Sequence, residues 1–267
     1  MKVLWITGAS SGIGEAVARE WVARGGNVAL SARRTDRLQK LATELGGPSR
    51  AIAIPCDVTQ EQDCEQAIQK AATHFGAIDC VFANAGFGVS GEVELLKIPD
   101  FERQFETNVY GVVRTALAAL PHLRKTQGAF AITGSVMSHL SLAGGAPYAM
   151  SKFAVRALAD SLRGEWKRYG LSVTLISPGF VASEIRMIDN EGKLKEHSQD
   201  PVPSWLVMPA AQAAREIVSA IRKRKPEQVI TGHGKVLVWL NRFFPWVLHS
   251  LVLPKFATPP GRKGWSE

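Results

Sequence analysis

Cysteine and tyrosine are both scarce in this chain of 267 residues, three of each, and Asp and Glu (24) are outnumbered by Lys and Arg (32). Cys56, Cys64 and Cys80 form no C-x-x-C pair and have no histidine-rich neighbour at ligand spacing. A disulfide framework and a structural metal site are therefore not expected. Long hydrophobic runs are also missing. The strongest apolar stretch, residues 236–253, is interrupted by Asn241, Arg242 and Pro245, which argues against an uninterrupted membrane-spanning helix. The opening residues Met1 to Thr7 reach Gly8 with no room for the regions of a secretory leader. A reducing, cytoplasmic setting is the expectation.

What is present is an ordinary globular composition, 46% hydrophobic and 21% charged, on a chain long enough to bury a large core. The net charge of +8 is unevenly placed, because residues 201–267 carry ten Lys and Arg against three Asp and Glu. Such a basic tail suits nucleic acid, anionic lipid or an acidic cofactor. No helix-turn-helix, zinc-finger or RNP pattern accompanies it, so nucleic acid is not expected.

Apolar, β-branched runs of strand length recur at residues 3–7, 27–32, 51–55, 78–84, 129–135, 171–177 and 228–231, each bounded by Gly, Pro, Asp or Asn. Between them lie stretches of helical periodicity, for example residues 14–24 and 37–45. Alternation of this kind predicts an α/β fold, a doubly wound parallel sheet of Rossmann type with its ligand crevice at the carboxyl ends of the strands. A single domain is expected over residues 1–232, with an apolar and basic helical extension over 233–267. Residues 189–200 are polar and aperiodic and read as a mobile loop.

Directly after the first strand stands Thr7-Gly8-Ala9-Ser10-Ser11-Gly12-Ile13-Gly14, which opens the first helix. Glycines there permit a tight turn and close approach of a pyrophosphate to free N–H groups at the helix N-terminus. The Gly-x-x-x-Gly-x-Gly spacing, Asn84-Ala85-Gly86, Ser135, Tyr148-x-x-x-Lys152 and Pro178-Gly179 together resemble the short-chain dehydrogenase/reductase family over residues 1–232. The resemblance implies a catalytic set of Asn108, Ser135, Tyr148 and Lys152. In it Ser135 orients the substrate oxygen, Asn108 anchors a water for proton relay, and Lys152 also holds the nicotinamide ribose. It implies cofactor contacts by Gly8, Ser10, Ser11, Gly12, Ile13 and Gly14, by Asp57 and Val58, and by Asn84, Ala85 and Gly86. Further contacts fall on Tyr148, Lys152, Pro178, Gly179, Val181 and Ser183, the last in place of the family's Thr. A homodimer or homotetramer is implied as well.

Residue chemistry supports the catalytic set independently. Tyr148 and Lys152 are four apart and share one helix face. An ammonium there favours the phenolate and makes the tyrosine a usable general acid or base. Tyr110 and Tyr169 have no such lysine. Taken singly, Ser135 also reads as a strand-end cap, Asn108 as a helix kink and Asp57 as a helix N-cap. A sensor or scaffold that binds cofactor without turnover is the alternative, and its mark would be loss of Tyr148 or Lys152.

Cofactor choice turns on the end of the second strand. Enzymes preferring NAD place an acid about 20 residues beyond the glycines to bind the ribose 2′-hydroxyl. Here Ala32 occupies that place and Arg33 and Arg34 follow, donors suited to a 2′-phosphate. NADP(H) is the expected cofactor, although both arginines could instead simply solvate the next helix beside Asp36. Residues 87–89, 137–142 and 185–208 should set specificity. Their apolar members, Phe87, Val89, Leu140, Leu142, Ile185, Met187, Ile188, Trp205 and Leu206, suit a lipophilic carbonyl or alcohol, and His139 reads as a solvated loop residue. The 236–253 stretch is expected to form two helices broken near Pro245. They could serve as a lid, a subunit contact or a peripheral membrane contact.

Overall fold

The protein is described here by a computed structural model, covering residues 2–193, 200, 202–248 and 250. Seven parallel strands form one sheet in the order β3-β2-β1-β4-β5-β6-β7. They are β1 (Val3–Thr7), β2 (Asn27–Ala32), β3 (Ala51–Pro55), β4 (Cys80–Ala83), β5 (Ala129–Thr133), β6 (Ser172–Pro178) and β7 (Glu227–Ile230). The first three match the sequence expectation. β4 is shorter than residues 78–84, because Asn84 leaves the ladder: its backbone N–H donates to Thr7 Oγ1 at 3.1 Å and its amide to Gly8 O at 3.1 Å.

Alternation along each strand builds two cores. Trp5, Val81, Phe130 and Val173 face one side, under α3 (Glu61–Phe75), α5 (Gly111–Thr126) and α6 (Ala146–Trp166). Leu4, Ile6, Phe82 and Ile176 face the other, under α1 (Gly12–Ala23), α2 (Thr35–Glu44) and α7 (Ala210–Arg222). This period of two is why nearly every strand residue is apolar, since neither face meets water. Trp5 and Trp21 are both fully buried, each contributing on the order of 2–3 kcal/mol of apolar burial. Each also satisfies its indole N–H, Trp5 on Ser31 Oγ at 2.9 Å and Trp21 on Lys2 O at 3.1 Å. Cys56, Cys64 and Cys80 are free, buried thiols within these cores.

Strand order reverses between β1 and β4, so the glycine turn after β1 and the 84–86 segment after β4 flank the crevice where a doubly wound sheet binds its ligand. Between β4 and α5 lies α4 (Ile98–Phe105), followed by a π-helical turn over Glu106–Tyr110.

After β7 the chain forms α8 (Gly232–Phe243), breaks at Phe244 and resumes as a short turn at Pro245–Val247. The break near Pro245 is as expected. Leu237 and Val238 pack with Val136, Leu140 and Leu248, and Asn241 Nδ2 donates to His139 O at 2.6 Å. The helix thus backs the segment that follows β5. Its other side leaves Val236, Trp239 and Phe243 about half exposed, beside Phe244 and Trp246. Among the described residues, no helix is long and apolar enough to cross a membrane. Residues 194–199 of the 189–200 loop, and residues 249 and 251–253 of the apolar stretch, lie outside the described residues.

Candidate active site

The glycine turn is shaped by steric necessity. Gly8 and Gly12 hold φ of +67° and +58°, a region L side chains rarely adopt. A Cβ on Gly14 would lie 2.3 Å from Gly8 O and 2.7 Å from Asn84 Nδ2. Ser11 at the N-cap of α1 is extended and makes no cap bond, its hydroxyl accepting instead from Arg34 Nη2 at 2.7 Å. The opening N–H groups of α1 are therefore not taken by their own N-cap side chain, and the turn gives the narrow, positively biased cradle that a pyrophosphate requires. Gly14→Ala should accordingly destabilise the fold by about 1–3 kcal/mol and weaken nucleotide binding. Thermal unfolding checks this, and an unchanged midpoint would contradict the packing read here.

Asn84 ties three strands together at this point, because its Oδ1 also accepts from Thr133 Oγ1 at 3.1 Å. Asp57 does not cap a helix. Its Oδ1 accepts from Thr59 N at 3.0 Å and Thr59 Oγ1 at 2.9 Å in a local turn, and the N-cap of α3 is Gln60. Val58 is buried against Gly111.

At the carboxyl end of β5, Ser135 caps the short turn Val136–Ser138, accepting from Met137 N at 3.1 Å. Its hydroxyl also lies near enough to Tyr148 to favour the phenolate. Tyr148 sits in the first turn of α6, which Pro147 helps to start. Lys152, one turn on, is 4% exposed; its Nζ donates to Thr133 O at 2.8 Å and stands 5.4 Å from the centre of the Tyr148 ring. Ser135, Tyr148 and Lys152 thus share one pocket beside the crevice.

Electrostatics in that pocket differ from the expectation of a lowered tyrosine. Burial pushes the Tyr148 phenol above its ordinary value, with the Ser135 hydroxyl and the more distant Arg186 charge opposing it. Burial also brings Lys152 down to about 8. Spacing alone shows the pair, but desolvation outweighs the mutual effect of phenol and ammonium.

Asn108 lies in the π-helical turn and is 1% exposed. Its Oδ1 accepts from Phe87 N at 3.1 Å, and its Nδ2 donates to Phe87 O at 2.9 Å and Ser151 Oγ at 3.3 Å. The amide clamps the segment after β4 to α6, and the helix irregularity is what aims it there.

Three residues were not legible as site elements. Glu184, after β6, accepts from Arg34 Nη1 and Arg37 Nη1, both at 2.8 Å. Arg186 pairs with Asp200 and donates to Val181 O at 3.2 Å. His139 is not a solvated loop residue: it is 8% exposed, with Nε2 2.8 Å from Glu227 Oε1 and Nδ1 against Arg156. Each pairing spans too many residues for local spacing to reveal it. Of the expected specificity residues, Val89 and Leu140 are core and Trp205 is 80% exposed, while Phe87, Leu142, Ile185, Met187, Ile188 and Leu206 are half-buried.

Comparison with known proteins identifies the family. A model of the short chain dehydrogenase family matches residues 2–194, and the chain belongs to that family of oxidoreductases. It is 31% identical over 277 residues to 11-beta-hydroxysteroid dehydrogenase A of Sesamum indicum, covering 97% of this chain and 77% of that protein. It is 33% identical over 236 residues to 11-beta-hydroxysteroid dehydrogenase 1A of Arabidopsis thaliana, covering 84% of this chain and 66% of the relative. Among solved structures, an alcohol dehydrogenase from the archaeon Thermococcus sibiricus complexed with 5-hydroxy-NADP superposes with a TM-score of 0.74 at 31% identity, covering 86% of this chain and 96% of that one. A short chain dehydrogenase/reductase from Burkholderia phymatum in complex with NAD gives 0.80 at 25% identity, covering 90% and 92%.

Proposed function

We propose that this enzyme transfers hydride between NADP(H) and a lipophilic carbonyl or secondary alcohol. The observation that carries the reading is the convergence of Ser135, Tyr148 and Lys152 in one pocket beside the glycine cradle. Both Tyr148 and Lys152 are retained and placed together, which disfavours a sensor or scaffold without turnover. When bound, the nicotinamide supplies or accepts the hydride. The glycine turn and the N-terminus of α1 would hold the pyrophosphate, Arg33 and Arg34 the 2′-phosphate, and Lys152 and Ser183 the nicotinamide end.

The protein's own part is orientation and proton transfer. Ser135 and Tyr148 present two hydroxyls to the substrate oxygen. In the reductive direction Tyr148 passes its proton to that oxygen, and the Lys152 ammonium steadies the phenolate left behind. Asn108 acts as a positioning residue by fixing Phe87 and Ser151.

Relatives named as hydroxysteroid dehydrogenases, together with half-buried Phe87, Leu142, Met187 and Ile188, support a bulky apolar substrate. Exposed Leu117, Met150 and Phe153 on α5 and α6 support association with a second copy, as a homodimer or homotetramer. Exposed Trp239, Phe243 and Trp246, beside Lys235 and Arg242, support a peripheral membrane contact. The direct test is a spectrophotometric screen of NADPH oxidation and NADP reduction over ketosteroids, other ketones and aldehydes, and the corresponding alcohols. Turnover of sugars or acids but of no apolar carbonyl would overturn the substrate reading.

Lys152 also predicts a pH profile. It is charged below about 8 and loses its proton as pH rises through that value. In the reductive direction kcat/KM, which reports the free enzyme, should fall above pH 8. A profile flat from pH 7 to 9.5 would remove the Lys152 charge from the rate.

A further inference from the structure

The segment after β6 crosses the glycine turn. Ser183 lies so close that a Cβ on Gly12 would stand 3.0 Å from the Ser183 Cβ. The next residue, Glu184, then reaches α2. Its Oε2 accepts from Arg34 Nη1 and its Oε1 from Arg37 Nη1, both at 2.8 Å. Arg34 is held from the other side as well, its Nε donating to Ser10 Oγ at 3.2 Å and its Nη2 to Ser11 Oγ at 2.7 Å.

Charge and hydroxyl donors in this arrangement are those a phosphate monoester selects: two guanidinium groups and two serines at the edge of a helix N-terminus. The carboxylate that occupies the two guanidinium groups comes from a different part of the chain, 150 residues from Arg34. Burial opposes its charge, but Arg37 and Arg34 outweigh that and hold the carboxyl down to about 2. It is therefore an anion at any working pH. Arg33, by contrast, is exposed and makes no hydrogen bond or ion pair among the described residues.

We propose that Glu184 is a cofactor-discriminating residue, a carboxylate latch that occupies the donors of the adenosine 2′-phosphate subsite and that the phosphate must displace. This rests on the reading of the crevice as a nucleotide site and refines it. The latch lowers affinity for a 2′-phosphorylated nucleotide while leaving one without that phosphate nearly untouched.

The test is binding, not turnover. Isothermal titration of the full chain with 2′,5′-ADP and with 5′-AMP, then with NADPH and NADH, should show Glu184→Gln tightening 2′,5′-ADP and NADPH about tenfold while changing 5′-AMP and NADH less than about twofold. Arg34 stays placed in that variant because Ser10 and Ser11 still hold it. Glu184→Ala should give the same pattern, which guards against an effect peculiar to the amide. A variant that binds all four ligands more weakly, or shifts all four alike, would show that Glu184 is scaffold and overturn the latch. If the wild-type protein does not favour 2′,5′-ADP over 5′-AMP, the NADP(H) reading fails, yet a preference appearing in Glu184→Gln would still uphold the latch. If the wild type does favour 2′,5′-ADP and the variant's preference is unchanged, the latch alone is lost.

Discussion

Replacing Tyr148 with phenylalanine should remove turnover, lowering kcat by about 10²–10⁴ while leaving nucleotide binding nearly intact. The ring itself is retained beside Gly88, on which an added Cβ would stand 3.6 Å from Tyr148 Cδ2. The fold of α6 does not depend on the hydroxyl, because Ser151 Oγ donates to the backbone carbonyl of Tyr148 at 2.7 Å and Pro147 starts the helix. What is lost is the one phenol in the chain with an ammonium four residues on. Burial keeps that phenol protonated in the free protein, which suits a proton donor to a carbonyl oxygen. Ser135 remains able to orient the substrate but has no comparable acid to give, since an aliphatic hydroxyl is a far weaker acid than a phenol. The measurement is kcat on any accepted carbonyl, with nucleotide affinity followed by calorimetry. A variant with near-normal kcat would reject Tyr148 as the donor, and one that neither turns over nor binds would point to misfolding.

The sheet was legible because each strand is short, apolar and β-branched, and each is punctuated by Gly, Pro, Asp or Asn. Where the expectation overran, a polar residue had found a tertiary partner. Asn84 continues the apolar run in sequence, but its amide turns to Gly8 and closes the crevice floor. Tyr148 and Lys152 were legible for a different reason, since an interval of four fixes a shared helix face whatever the rest of the chain does. Their electrostatic balance was not, because desolvation depends on what α6 packs against. Glu184 and His139 show the limit most clearly. Each is an ionisable residue in a mainly apolar stretch, and each acquires its role from a partner 88 to 150 residues away. The π-helical turn that aims Asn108 likewise leaves no mark in a hydrophobic pattern, since it changes one hydrogen-bond ring and not the buried face.

Nucleotide preference should be reversible at the end of β2. Ala32 is the last residue of that strand, 9% exposed, and its carbonyl accepts from Cys56 N at 3.2 Å. Neither arginine after it pairs with Asp36 among the described residues, so the reading of both as simple solvating partners of that acid has no support; Arg34 goes to Glu184 instead. Arg33 is left exposed and free to meet a phosphate. Arg33→Ala should therefore weaken NADPH by about tenfold to a hundredfold and NADH by less than about threefold, because only the former carries the group that the guanidinium would bind. Ala32→Asp adds a carboxylate that repels a 2′-phosphate and accepts from a 2′-hydroxyl, and combined with Arg33→Ala it should move the NADPH-to-NADH ratio of kcat/KM by about 10²–10³. Arg33→Ala touches only an exposed side chain, so its thermal stability should hold within about 1 kcal/mol, whereas Ala32→Asp sets a carboxylate at a buried strand end and should cost about 1–3 kcal/mol. Equal losses for both nucleotides in Arg33→Ala would make that arginine structural. A ratio that moves with Ala32→Asp but not with Arg33→Ala would leave the phosphate to Arg34 and Arg37 alone, where the Glu184 carboxylate now sits.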